Sequence, residues 1–131
     1  MPVDLPVFPD VALVLIEVFA DIAAAASAAT VTNLPADLQA VLPVIRVRRL
    51  GGGDDRWTDA PRVDVEVYAA TRAVAVPLAE QLRQRLLSRP HATAHGVIDR
   101  AVTEVGPQEI PYEDQDVRLV AATYRLSLRR S

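Results

Sequence analysis

Two stretches of strict alternation organise the chain. Pro43-Val44-Ile45-Arg46-Val47-Arg48-Arg49-Leu50 interleaves apolar with basic residues, and Pro61-Arg62-Val63-Asp64-Val65-Glu66-Val67-Tyr68 interleaves apolar with acidic ones. Side chains of a strand leave opposite faces with period two, so each stretch reads as a half-buried strand. Folded antiparallel about Gly51-Gly52-Gly53, a single register sets Arg46 opposite Glu66 and Arg48 opposite Asp64, while Ile45 and Val47 back onto Val67 and Val65. A one-residue slip loses the apolar face and the charge pairs together, so this register is expected.

Around this hairpin the period changes to 3.6. Asp10 is a good N-cap for a helix over roughly residues 11–29, with Val11, Val14, Leu15, Val18, Phe19 and Ile22 on its apolar stripe and Leu13 and Ile16 apolar beside it. So much apolar surface implies burial on two sides or against a neighbouring subunit. Asn33 to Pro43 reads as a linker with a short turn around 36–40. Thr71 caps a second expected helix over about 72–88, whose buried stripe is Val74, Leu78, Leu82 and Leu86 with Ala75 and Ala79 beside them. A third strand is expected over about 96–105, stopped by Gly106-Pro107, and a last strand over about 117–129. The loops are then 51–60, with Asp54, Asp55, Arg56, Trp57 and Asp59, and 107–116, with Tyr112, Glu113 and Asp114. Residues 1–9 carry three prolines and read as an extended arm, leaving 10–131 as one domain.

The predicted class is α+β. It is a two-layer sandwich in the order α-β-β-α-β-β, with a mixed, mostly antiparallel sheet of about four strands and the helices on one face. Its core is expected to hold Ile45, Val47, Val63, Val65, Val67, Val74, Leu78, Leu82, Leu86, Val120, Tyr124 and Leu126. Strand order is left open.

Composition narrows the function. Half of the 131 residues are hydrophobic, enough for a real core. A net charge of −3 argues against a general nucleic-acid binder. There is no cysteine, and all 14 basic residues are arginine, which excludes thiolate, Schiff-base and P-loop lysine chemistry. The apolar run from Val11 to Phe19 is interrupted by Glu17 and falls short of the ~20 residues that span a bilayer. Met1-Pro2-Val3-Asp4 lacks the base of a signal peptide, so a soluble, intracellularly made protein is expected.

Catalytic candidates are few. His91 and His95 have a metal-ligand spacing on a helix, but Pro90 and Gly96 bracket them in a connection, and two loop histidines is the better reading. Asp54, Asp55 and Asp59 match no calcium loop, Arg56 stands among them, and a solvated acidic loop is the better reading. The triple glycine has no following lysine and reads as a flexible hinge. No cofactor, metal or catalytic residue is expected. Trp57 and Tyr112 sit in loops, where an aromatic either anchors an interface or folds back on its own domain; both readings stay open.

Certain runs of the sequence carry a resemblance. Arg48-Arg49-Leu50-Gly51-Gly52, Asp59 to Ala69 and Thr71-Arg72, followed by Gly96-Val97-Ile98-Asp99, Glu104, Gly106-Pro107, Ile110-Pro111-Tyr112 and Ala122-Thr123-Tyr124-Arg125, resemble the tail terminator proteins of long-tailed (siphovirus-type) phages of actinobacteria. The likeness spans about residues 8–130. It implies a structural virion protein of the head-proximal tail end, assembled in the host cytoplasm. Such a protein forms a homohexameric ring, caps the tail tube, stops its polymerisation and joins the tail to the head connector, while DNA passes through the lumen without specific binding. Candidate interface residues are Asp54, Asp55, Arg56, Trp57, Tyr112, Glu113 and Asp114. The alternatives are a head-completion or stopper ring protein, a small ligand-binding α+β module and, with only the histidine pair behind it, a hydrolase.

Overall fold

In a computed structural model, residues 7–130 are described. Most of the expected arm over residues 1–9 lies outside them; of the rest, Val7 is exposed and Pro9 is buried against Gly96. The elements are α1 (Val11–Val18), α2 (Ala20–Ala25), β1 (Ala29–Val31), a 3-10 turn (Leu38–Ala40), β2 (Val44–Asp54), β3 (Thr58–Ala69), α3 (Arg72–Ser88), β4 (His91–Thr93), β5 (Gly96–Ile110) and β6 (Arg118–Arg129). They form one six-stranded sheet of order β1-β2-β3-β6-β5-β4, antiparallel except where β1 joins β2. The α+β class and the mixed sheet match the expectation; the count of about four strands does not. β1 and β4 are three residues each, too short to show any period, and they add one strand at each edge.

The hairpin register is the expected one: Arg46 faces Glu66, Arg48 faces Asp64, Ile45 faces Val67 and Val47 faces Val65. The two long hairpins meet at the centre, where β3 pairs with β6. Ile45, Val47, Val63, Val65, Val67, Val120, Tyr124, Leu126 and Leu128 line one face of the sheet and pack against α1, α2 and α3. Helix α3 runs from Arg72 as expected, but the Thr71 side chain accepts no capping hydrogen bond and Val74 is 46% exposed. Its buried stripe is Ala75, Leu78, Ala79, Leu82 and Leu86, the expected one without Val74.

The first helix is not continuous to residue 29. Asp10 Oδ1 accepts from the Ala12 amide at 3.0 Å and starts α1 as expected. The helix breaks at Phe19, a buried residue at φ −93°, ψ −1°, where Arg85 of α3 donates to the Val18 carbonyl at 3.2 Å. A carbonyl held by a side chain 67 positions away lets the axis re-aim, and α2 begins. Ser27 at φ 55° then ends α2, with the Ala28 amide on the Ala23 carbonyl and the Ser27 amide on the Ala24 carbonyl, and the chain enters β1.

The expected loops are shorter than their sequence suggests. The glycine run is strand, not hinge: β2 continues to Asp54 through a bulge between Arg49 and Gly51. Gly52, at φ +98°, lies where a Cβ would sit 2.2 Å from the Ala60 carbonyl oxygen. Strand β5 likewise runs through Gly106-Pro107 to Ile110 by way of bulges, leaving a connection of 111–117. That connection and residues 31–42 cover part of the second sheet face, with Leu38, Val44, Tyr68, Val117, Leu119 and Ala121 buried there. Among the described residues no helix is long and apolar enough to cross a membrane.

Candidate assembly surface

The register fixes where the two candidate loops lie. Asp54 pairs with Asp59, Asp59 with Leu128, and Leu128 with Ile98, so the tip between β2 and β3 stands at one end of the sheet. Val44 pairs with Tyr68, Tyr68 with Leu119, and Leu119 with Ile110, so the 111–117 connection stands at the other. Asp54, Asp55, Arg56 and Trp57 therefore share one end, and Tyr112, Glu113 and Asp114 share the opposite one.

The tip is held rigidly. Asp55 Oδ1 accepts from the Trp57 and Thr58 amides, both at 2.7 Å, and these bonds to the charged form hold its carboxyl below the usual carboxylate range. The Asp55 amide closes the turn on the Thr58 carbonyl at 2.9 Å. Arg56 lies 5.2 Å from the centre of the Trp57 ring, and Trp57 is 69% exposed. Arg130 donates to the Arg56 carbonyl at 2.7 Å and stacks 3.9 Å over the Phe8 ring. The tip, the last described residue and the described start of the chain thus form one surface. Asp59, expected in a solvated acidic loop, is buried and takes a bidentate bond from Arg49 at 2.6 and 2.8 Å. It is part of the fold and leaves Asp54 and Asp55 as the tip acids.

At the other end Tyr112 folds back. Its ring meets Tyr68 edge-on, with centroids 5.5 Å apart and planes at 77°. Asp114 Oδ1 accepts from the Asp116 amide at 2.9 Å, and Gln39 reaches Asp116 at 3.0 Å. Glu113 is exposed. A depression of about 550 Å³ lies between these residues and the 34–40 segment, with Asp37, Glu113 and Asp114 on its rim.

Between the ends, the second face of the sheet carries a charge network that the sequence disclosed only in part. Arg46 bonds Glu66 at 2.5 Å, and this bond raises the guanidinium pKa further. Tyr68 donates to Glu66 at 3.2 Å; burial first and the Glu66 charge second push the phenol upward. Arg48 reaches Asp64 at 3.4 Å, Thr123 donates to Asp64 at 3.1 Å, and Glu104 accepts from Arg62 at 3.0 Å with Arg125 at 3.6 Å. Arg129 pairs with Asp99. Strand alternation could have suggested Arg62 and Arg125, but their partner Glu104 sits at a bulge, where period-two counting fails.

Among the described residues the two histidines are not brought together. His91 is buried, with Nε2 2.9 Å from the Arg85 carbonyl oxygen, while His95 sits exposed in the turn between β4 and β5. Among the described residues no three histidine or acidic side chains are placed to hold a metal.

The sheet thus presents two structured ends, an exposed aromatic and an ion-paired face. The model of the phage tail termination protein family matches residues 7–131, and the chain belongs to that family. It is a structural tail terminator. Its fold is similar to that of a chain in the virion of a native gene transfer agent particle, at a TM-score of 0.67 and 14% identity over 90% of this chain and 93% of that one. No curated protein matches it.

Proposed function

We propose that this protein acts without turnover, as a homohexameric ring at the head-proximal end of a siphovirus-type tail. In this reading it caps the last ring of the tail tube, stops polymerisation, and presents its other side to the head connector. The actinobacterial host type rests on the sequence resemblance, with which the lysine-free composition agrees. Residues 10–131 act as the ring-forming domain and residues 1–9 as an arm.

One observation carries the proposal: the two candidate loops stand at opposite ends of one rigid sheet. A ring subunit needs two unlike axial surfaces, and this one has an aromatic tip at one end and an acidic rim at the other. The Trp57 tip, with Asp54, Asp55 and Arg56, is assigned to the tail tube, and Tyr112, Glu113 and Asp114 to the connector side. DNA passes through the lumen without specific binding, and guanidinium groups already paired with carboxylates have little left to offer a phosphate.

The test is the mass in solution by light scattering, then negative-stain imaging with and without purified tail tubes. Six-fold rings, free or on tube ends, are expected. Tail-ready heads that leak DNA when the gene is lost, with tails of normal length, would instead indicate a stopper. A monomer that ignores tubes would sink the terminator ring.

A further inference from the structure

Among the described residues, two strand edges in this sheet have no neighbouring strand along most of their length. Strand β1 covers only Val44–Arg46 of β2, and β4 covers only Gly96–Ile98 of β5. Val47–Asp54 and residues 99–110 thus run along opposite margins of the sheet as open edges. Such edges invite another chain unless the fold has a use for them.

We propose that these two edges are the seam between copies of this chain: β5 of one subunit pairs antiparallel with β2 of the next, continuing the sheet from subunit to subunit. The inference rests on the ring reading and adds which surfaces close the ring.

Direction is the first argument. Three successive antiparallel steps, β2 to β3 to β6 to β5, leave β2 and β5 running opposite ways. Copies related by rotation therefore bring them together antiparallel, the same pairing the sheet already uses. The contact is head-to-tail, as a closed ring requires. Strand β1 projects beside the first three residues of β2, so the next copy must be displaced along the strands by about that length for Val47–Asp54 to reach β5. Such a stagger tilts the strands against the ring axis, as it does in closed barrels.

Charge is the second argument. On the face away from the helices β2 presents Arg46 and Arg48, β3 presents Asp64 and Glu66, β6 presents Arg125 and β5 presents Glu104. The sign alternates strand by strand, apart from Arg62 and Arg100 towards the tip end. A second copy's basic β2, with Arg48 half-exposed, continues that alternation beside the β5 margin that carries Glu104.

Glycine supplies the third argument. Gly53 on β2 and Gly106 on β5 have no positive φ, and a Cβ at either would meet nothing within 4 Å. Neither is demanded by the fold of its own subunit. A glycine in a strand with no internal reason marks a place where another backbone comes close. The same two margins hold half-exposed Leu50, Val102, Val105 and Ile110. Bulges in both strands make the edges irregular, which favours a matched partner over open-ended stacking.

The experiment uses the full chain with tail tubes present. Gly53→Val and Gly106→Val should each melt as the parent does, since the space is open and valine suits a strand, yet fail to close rings. The chain has no cysteine, so Leu50→Cys combined with Val105→Cys, and separately with Val102→Cys, gives a clean cross-linking background. Within one subunit β3 and β6 lie between these positions, too far for a disulfide. Oxidation of assembled protein should yield a covalent ladder rising by one subunit per step. Rings that form in both valine variants, or rings that give no ladder with either cysteine pair, overturn the seam and leave the ring intact. Absence of rings in the parent on tubes overturns the ring reading and the seam with it.

Discussion

Asp21 and Arg85 tie α2 to α3 at the point where the first helix breaks. Two hydrogen bonds, at 2.6 and 2.9 Å, join the carboxylate to the guanidinium, and this bonding first, opposed by desolvation and aided to a lesser degree by the Arg85 charge, lowers the Asp21 pKa from 3.8 to about 2. The folded value lies below the unfolded one, so the folded state binds the proton less readily. The pair's contribution is complete above the unfolded value and is lost as pH falls through the folded one. The melting-temperature gap between the parent and Asp21→Asn should stay constant above about pH 5 and close between about pH 4 and pH 2. A gap that persists at pH 2 would show that the carboxylate charge is not its source. Asp59 makes the complementary case, because its carboxylate is buried and takes both bonds from Arg49. Asp59→Asn leaves a guanidinium without its anion at the base of the tip. Arg49 keeps some contact with solvent, so the expected cost is about 1–3 kcal/mol, below that of a fully buried pair. The midpoint of urea denaturation checks it.

At the scale of elements, what could be read from sequence follows from length. β2, β3, β6 and α3 each repeat their period several times, and the hairpin register was fixed by apolar and charged positions agreeing. β1 and β4 hold three residues each and repeat nothing. The break at Phe19 depends on Arg85, 66 positions on, and no local pattern encodes such a contact. Gly51-Gly52-Gly53 looks like the turn, yet the turn is made by the Asp55 side chain four residues past the first glycine. The candidate loops were placed between the right strands but drawn too long, since strand continues through 51–54, 58–60 and 107–110, and the exposure of Trp57 and the docking of Tyr112 on Tyr68 depend on tertiary placement. The end of α2 offers a test of element-scale reasoning. Ser27 holds a left-handed conformation that glycine adopts freely, and its side chain makes none of the bonds that close the motif. Ser27→Gly should therefore stabilise the protein by about 0.5–1 kcal/mol, less than the full strain because the unfolded chain gains freedom too. Thermal and urea unfolding would show it; an unchanged or lower midpoint would mean that the turn is held by contacts beyond its backbone.

At the scale of the whole molecule, the two ends differ in what they have already given to the fold. Tyr112 has its ring against Tyr68 and borders the smaller core, so Tyr112→Ala should lower stability before it alters any docking. Trp57 has given almost nothing: it is 69% exposed and touches chiefly the Arg56 guanidinium. The turn beneath it is held by Asp55 and by Arg130, neither of which uses the indole. A large aromatic held on a rigid support with its face to solvent has the form of an interface anchor. Trp57→Ala should then change stability by no more than about 0.5 kcal/mol, while loss of a central anchor weakens docking by about 2 kcal/mol or more, a factor above ten in affinity. Carried in a phage genome, the substitution should leave soluble protein at parental levels and tails of uncontrolled length that do not join heads. Tails of normal length joined to heads would remove the tip from the tube interface and move the assignment to the acidic end. A fall in melting temperature together with loss of capping would mean that Trp57 supports the fold after all, and the comparison with Tyr112→Ala is what separates those two outcomes.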